Sequence, residues 1–161
     1  MSSRMYVTAE FDGEEIAGIY FDQRLLSPPV TPGTAIVADL VLPVSYEIDA
    51  SEIDELTWYE ANRLVEDAHD HAVELSRSLG PGIAVGKLFS TTLEQGTAWY
   101  VVTDLTASKA HVEWRGFGEN RRRDHRLGWG GKFDRMIIQG HVARHDAEQA
   151  IADVALEAAC A

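Results

Sequence analysis

The sequence predicts an α+β protein in which antiparallel strands pack on one central helix, followed by a small β-barrel and a C-terminal helix. Two observations predict this class. Strand-like segments follow one another without regular crossover helices, which favours antiparallel pairing over a doubly wound sheet. One long segment carries apolar residues at spacings of three and four, as an amphipathic helix does. We expect a single compact domain over residues 1–161, divisible into lobes at 1–80 and 82–161.

A β-hairpin is predicted at the N-terminus. Residues 5–11 alternate and are rich in strand formers, Asp12-Gly13 is a tight-turn signal, and residues 15–21 form the return strand. The long apolar, β-branched run at residues 35–46 predicts one further strand. We expect an edge or a bulge near Pro43, because proline cannot donate to a strand ladder.

The central helix has clear start and stop signals. Thr57 and Glu60 have the spacing of a capping box, and Gly80 with Pro81 ends the pattern. Its apolar face is predicted to comprise Ala61, Leu64, Val65, Ala68, Ala72, Leu75 and Leu79. We expect four of these to be buried against the sheet, namely Leu64, Val65, Ala68 and Leu75.

After Gly82 the apolar period changes from 3.6 to 2, which indicates strands. Three successive strands are predicted, over residues 83–90, 97–105 and 109–117. The last two are joined by residues 106–108, a connection short enough for a hairpin. Residues 136–142 predict one more short strand, and Asp146 is expected to cap the final helix.

The second half of the chain resembles a family of small barrels. Residues 112–117 (VEWRGF) are similar to the strand end of chromodomains. Residues 82–143 have the length and turn spacing of the SH3-like barrels that chromo and tudor modules share. The resemblance implies a five-stranded barrel, but it implies no activity, because this fold hosts many unrelated functions.

Composition excludes several classes of protein. The chain has 26 acidic and 14 basic residues, a formal net charge of −12 and 45% hydrophobic residues, so disorder is not expected. It has no run of ~18 apolar residues to span a membrane, and acids in the first twenty positions disfavour a secretory signal. Cys160 is the single cysteine, which excludes an internal disulfide framework and a cysteine-based zinc site. We expect a cytoplasmic protein with no membrane partner and no cofactor.

Charge is strongly segregated along the chain. Residues 109–144, here called the basic segment, contain nine basic and four acidic residues, whereas the rest of the chain has five basic and 22 acidic residues. The basic segment therefore carries +5 and the remainder −17. Aromatic residues lie between the bases, namely Trp114, Phe117, Trp129 and Phe133.

This pattern predicts a non-enzymatic protein that acts by binding. The candidate binding residues are Arg115, Arg121, Arg122, Arg123, Arg126, Trp129, Lys132 and Phe133. Two partners fit them. The segment can meet the acidic face of a second subunit, which predicts a homodimer. Alternatively, arginines on phosphates and aromatic rings on bases would hold single-stranded nucleic acid.

An enzyme is the competing hypothesis, specifically a hydrolase or a metal-dependent enzyme. The central helix carries a cluster of titratable residues, Glu66, Asp67, His69, Asp70, His71 and Glu74. Asp67 and His71 are four apart, a spacing that suits an acid–base pair or a divalent ion. A solvated helix face explains the same cluster, however. His141 and His145 are also four apart, but on a strand they would lie ~13 Å apart, too far for one ion, so no metal site and no catalytic residue is assigned.

Overall fold

The computed structural model describes residues 4–21, 32–93, 96–115, 117 and 140–160. Within them the fold is mixed α+β, with two helices and two antiparallel sheets, one of which curls into a half-barrel. The helices are α1 (Trp58–Ser78) and α2 (Arg144–Cys160). The strands are β1 (Arg4–Phe11), β2 (Glu14–Phe21), β3 (Thr34–Asp39), β4 (Ser45–Asp49), β5 (Ile53–Glu55), β6 (Leu88–Leu93), β7 (Gly96–Leu105), β8 (Lys109–Trp114) and β9 (His141–Ala143).

The N-terminal hairpin is confirmed. Strands β1 and β2 pair antiparallel from Arg4 opposite Phe21 to Phe11 opposite Glu14. The turn residues have φ of 50° at Asp12 and 81° at Gly13. Two consecutive positive φ angles characterise the type I′ turn, whose twist matches that of the strands it joins.

The five-stranded sheet is the half-barrel, and its strand order is β4-β3-β2-β1-β5. Two strands separate β1 from β4, so in a flat sheet these would lie roughly 14 Å apart. The rings of Phe11 on β1 and Tyr46 on β4 nevertheless lie with centroids 4.9 Å apart. The curl encloses a small apolar cluster of Val7, Ala9, Val37 and Ile48. A 3₁₀ turn, Ala50–Glu52, joins the two edge strands.

The single strand predicted over residues 35–46 is wrong, because the chain turns within it. Strand β3 ends at Asp39 and β4 begins at Ser45, and the two pair with each other. The Asp39 carboxylate accepts hydrogen bonds from the backbone N–H groups of Val41 and Leu42, at 2.8 and 2.7 Å. This local competition for backbone donors initiates a turn, and Pro43 lies within it.

Helix α1 begins as predicted and buries a slightly different face. The Thr57 hydroxyl oxygen accepts from the Glu60 backbone N–H at 3.3 Å and lies 2.7 Å from its carboxylate. Val65 and Ala68 are buried, in agreement with the prediction. Leu64 and Leu75 are only half-buried, because the centre of the buried stripe follows Val65, Ala68, Ala72 and Ser76.

The second sheet has the order β6-β7-β8-β9, and α2 packs against β6, β8 and β9. The predicted strand over 83–90 begins only at Leu88, because Gly82 and Gly86 adopt φ of 92° and 97°, which an extended strand does not use. The hairpin at 106–108 is confirmed, with the Thr106 N–H donating to the Lys109 carbonyl at 2.9 Å.

The final helix begins earlier than predicted, and the strand predicted before it is described only in part. Of the strand expected over 136–142, residues 136–139 lie outside the described residues, and β9 begins at His141. Helix α2 begins at Arg144, so Asp146 lies in its first turn and is not its cap.

A large apolar cluster connects the elements. It includes Ile19 and Ala38 of the half-barrel, Val65 of α1, Phe89 and Tyr100 of the second sheet and Ile151 of α2. In the described part of the chain, no helix is long and apolar enough to cross a membrane. The division into lobes at 1–80 and 82–161 stays a prediction.

Candidate functional site

One of the eight candidate binding residues lies in the part of the chain that the structure describes, and seven lie outside it. Arg115 is described by the structure. The other candidates lie outside the described residues, namely Arg121, Arg122, Arg123, Arg126, Trp129, Lys132 and Phe133. Within the basic segment the structure therefore describes residues 109–115, 117 and 140–144. They include β8, β9 and the two points at which the chain leaves β8 and enters β9.

Arg115 fixes the first end. Its side chain is 1% exposed and its Nη1 donates to the Glu113 carboxylate at 2.9 Å. Its Nη2 donates to the Leu42 carbonyl at 3.1 Å, and its backbone N–H donates to the Trp99 carbonyl at 3.0 Å. Glu113 also accepts from the Ser45 hydroxyl at 3.3 Å. A buried guanidinium that is paired and hydrogen-bonded in this way holds its neighbours in register.

The turn that receives Arg115 is itself held by hydrogen bonds. Asp39 accepts from two backbone N–H groups, and the Tyr46 hydroxyl donates to its second carboxylate oxygen at 3.1 Å. Burial raises the pKa of Tyr46, and the nearby Asp39 carboxylate raises it further. Arg115 thus connects the end of β8 to a rigid turn of the half-barrel.

The second end of the basic segment returns to the neighbouring strand. The Gly140 carbonyl accepts from the Val112 N–H at 2.9 Å, and His141 lies opposite His111 in the β8–β9 register. Between the two strands the chain runs from Arg115 to Gly140, a connection of 26 residues. Adjacent antiparallel strands need only about 2–5 residues to connect them.

A large pocket lies beside the second sheet. It has a volume of about 1040 Å³ and lies between the C-terminal half of α1, the start of β6, β7 and α2. Its walls are mostly apolar, formed by Val73, Pro81, Ile83, Leu88, Trp99, Ile151, Ala152 and Val154. Pockets of this volume, with few polar groups, are typical of small-molecule sites.

Lys87 is the unexpected residue of this pocket. It is 8% exposed and lines the cavity, and within the described residues its side chain makes no hydrogen bond or ion pair. Its backbone is fixed, because its N–H donates to Ala84 and its carbonyl accepts from Val102 at 2.9 Å. Sequence reasoning missed it. The available signal was a lone lysine in an otherwise apolar run at residues 83–90.

The histidines do not assemble a metal centre in the described part of the chain, where no group of three or more His, Cys, Asp or Glu side chains could hold an ion. His141 lies on β9 and His145 in the first turn of α2. The neighbour of His141 is His111, with ring centroids 6.0 Å apart. His69 packs against Trp99 and Phe117, with ring centroids 5.0 and 4.9 Å away.

The remaining members of the α1 cluster are exposed, namely Glu66, Asp67, Asp70, His71 and Glu74. This is the arrangement that a solvated acidic face has.

Comparisons of the chain with protein-family models, with curated proteins and with solved structures find no match.

Proposed function

We propose that this chain is a non-enzymatic binding protein that holds an acidic partner surface through its basic segment. The observation that carries the proposal is the anchoring of that segment. Arg115 fixes the chain where it leaves β8. The Gly140 carbonyl fixes it where it enters the neighbouring strand, β9. A connection of 26 residues is far longer than this pairing requires, and long connections held on a rigid scaffold commonly carry binding function.

The acidic partner surface is supplied by a second copy of the chain. Outside the basic segment the chain carries −17, and the exposed face of α1 presents Glu66, Asp67, Asp70 and Glu74. Arginine forks bind carboxylates bidentately, which gives such contacts both energy and orientation. In a two-fold dimer, each basic segment would meet the α1 face of the other subunit, so the contact would be made twice.

Single-stranded nucleic acid is the second candidate, favoured by arginines that alternate with aromatic residues. Of the four aromatic residues in the basic segment, Trp114 and Phe117 are buried in the apolar cluster and are not available for stacking. Trp129 and Phe133 are the aromatic residues that this candidate requires. Stacking of a base on an aromatic ring contributes about 1–3 kcal/mol.

The finer fold assignment also stays a proposal. We propose that residues 82–143 form an SH3-like barrel and that α1 is the central helix on which the strands pack. Support comes from β6, β7 and β8, which are successive antiparallel strands with short connections. The chromodomain-like strand end at Val112–Phe117 includes the last residues of β8.

Replacing Arg121, Arg122 and Arg123 by alanine tests the binding proposal. Light scattering should show a dimer for the unmodified chain and the 17.8 kDa monomer for the variant. A matched control replaces three bases outside the segment, Arg4, Arg24 and Arg63, by alanine, and we expect it to remain dimeric. The dimer should also weaken as salt rises, because screening acts on exposed charges.

Fluorescence anisotropy with labelled single-stranded RNA and DNA separates the two candidates. Binding at low salt that disappears in the triple-arginine variant and falls steeply with salt would favour nucleic acid as the partner. A monomeric unmodified chain that also binds no single strand at low salt would overturn both candidates. A dimer that the arginine replacements leave intact would overturn the basic segment as its contact.

A further inference from the structure

We propose that the pocket between α1, β6, β7 and α2 binds a small amphipathic organic acid, with Lys87 as the group that pairs with its carboxylate. This site is separate from the basic segment, and it would stand if the proposed dimer contact failed. Its argument depends on Lys87, on the walls around it and on the charge of this part of the chain.

Lys87 is a mostly buried cation, and the described residues provide no carboxylate for its ammonium group. The residue as a whole is 8% exposed, and it belongs to the lining of the pocket. Burying an unpaired charge is costly, so buried lysines are normally paired. Because Lys87 lines an open pocket, an anionic ligand in that pocket can pair with its charge.

The walls fit an apolar body attached to that anion. Ile83 and Leu88 lie beside Lys87 in the chain, and Trp99 and Ile151 line the pocket from β7 and α2. The start of β6 is fixed on α1, because the Leu88 N–H donates to the buried Ser76 hydroxyl at 2.9 Å. The pocket is therefore preformed, which lowers the entropy lost when a ligand binds.

The basic residues of the lining favour an anionic ligand, although the chain outside the basic segment is mostly acidic. Five basic residues lie outside the basic segment, and two of them, Arg77 and Lys87, line this pocket. Glu148 is the acid in the lining, and it is already paired with Arg144 at 3.0 Å. The lining thus presents an excess of positive charge to a ligand.

The number of buried cations indicates the class of anion. One buried ammonium matches a single negative charge, as on a carboxylate. A phosphate dianion is held by several donors, such as arginine forks or a backbone nest, whereas Arg77 is exposed at the rim. A monoanion with an apolar body matches both the charge and the walls of the pocket.

Calorimetric titration of the full chain with decanoate and with decan-1-ol tests this site. The two probes share an apolar chain and differ in charge. We expect decanoate to bind one per chain and at least about tenfold more tightly than decan-1-ol, as a charged hydrogen bond implies. Equal affinity for the two probes, or binding of neither, would overturn the proposal.

Lys87→Met keeps the length of the side chain and removes its charge. It should weaken decanoate binding about ten- to a hundredfold and leave decan-1-ol unchanged. Arg63→Met, on an exposed residue of α1 outside the pocket lining, should change the binding of neither probe. Circular dichroism checks that each variant is folded. Ala152→Trp provides a second variant at an exposed lining position, and it should block both probes by filling the pocket. Decanoate binding that survives both Lys87→Met and Ala152→Trp would place the ligand elsewhere.

Discussion

The half-barrel and the second sheet bury their apolar side chains in different ways. The half-barrel curls until its own strands enclose a core of Val7, Ala9, Val37 and Ile48. The second sheet is covered by α2 and packs with it into the large cluster around Phe89 and Tyr100. In the second region a pocket remains between the sheet and the two helices. The pocket, Lys87 and both ends of the basic segment all lie in the second region.

The largest expected effect distinguishes the two cores. Phe89→Ala removes a fully buried ring from the large cluster, and we expect it to lower the free energy of unfolding by about 3–5 kcal/mol. Val37→Ala in the half-barrel removes two carbon atoms and should cost about 2 kcal/mol. Urea denaturation measures both, with exposed Val85→Ala as the control. Equal costs for Phe89→Ala and Val37→Ala would mean that the Phe89 ring is less enclosed than its burial indicates.

The link between the two regions is expected to give the next largest effect. Arg115→Met leaves the partly buried Glu113 carboxylate without its cation and should cost about 3 kcal/mol. The double variant Glu113→Gln/Arg115→Met removes both charges, and it should recover more than half of that loss. If the double variant is as unstable as the single one in urea, the ion pair is not what connects β8 to the half-barrel.

The half-buried side of α1 should give a smaller effect. Because Leu64 is only half-buried, Leu64→Ala should cost about 1–2 kcal/mol, below the 2–5 kcal/mol typical of enclosed leucines. Leu88→Ala, at a buried position on β6, serves as the comparison within the enclosed range. Equal losses in thermal or urea unfolding would mean that Leu64 is enclosed after all.

The smallest predicted effect concerns the helix that follows the half-barrel in the chain. Thr57→Ala removes the hydroxyl that accepts from the Glu60 N–H and should cost about 1 kcal/mol. Thr57→Ser keeps the hydroxyl and should remain near the stability of the unmodified chain. A serine variant as unstable as the alanine variant would show that the cap is not the cause.

Features encoded locally could be predicted from the sequence. The Asp12-Gly13 turn and the Thr57–Glu60 cap each involve residues within a few positions of one another. The turn is confirmed, and so is the Thr57 hydroxyl as the N-terminal cap of α1. The Asp39 carboxylate accepts hydrogen bonds from the N–H groups of Val41 and Leu42. Apolar periodicity contains no information about such bonds, so the break within residues 35–46 was not predicted.

The candidate site depends on contacts that are remote in the chain. Arg115 was selected by residue type, but its burial comes from the Leu42 carbonyl, 73 positions away. Lys87 was missed because its burial requires α1, β7 and α2 to meet around it. The charge contrast of +5 against −17, in comparison, is a property of composition and was visible at once.

A charge swap is the most direct test of the central claim, which is that the basic segment contacts the acidic face of a second copy. One variant carries Arg122→Glu and Arg123→Glu, a second carries Asp67→Lys and Asp70→Lys on α1, and a third combines all four replacements. Light scattering should show monomers for the first two variants and a restored dimer for the third, because opposite charges again face each other. A combined variant that stays monomeric like the other two, or a first variant that stays dimeric, would contradict the account.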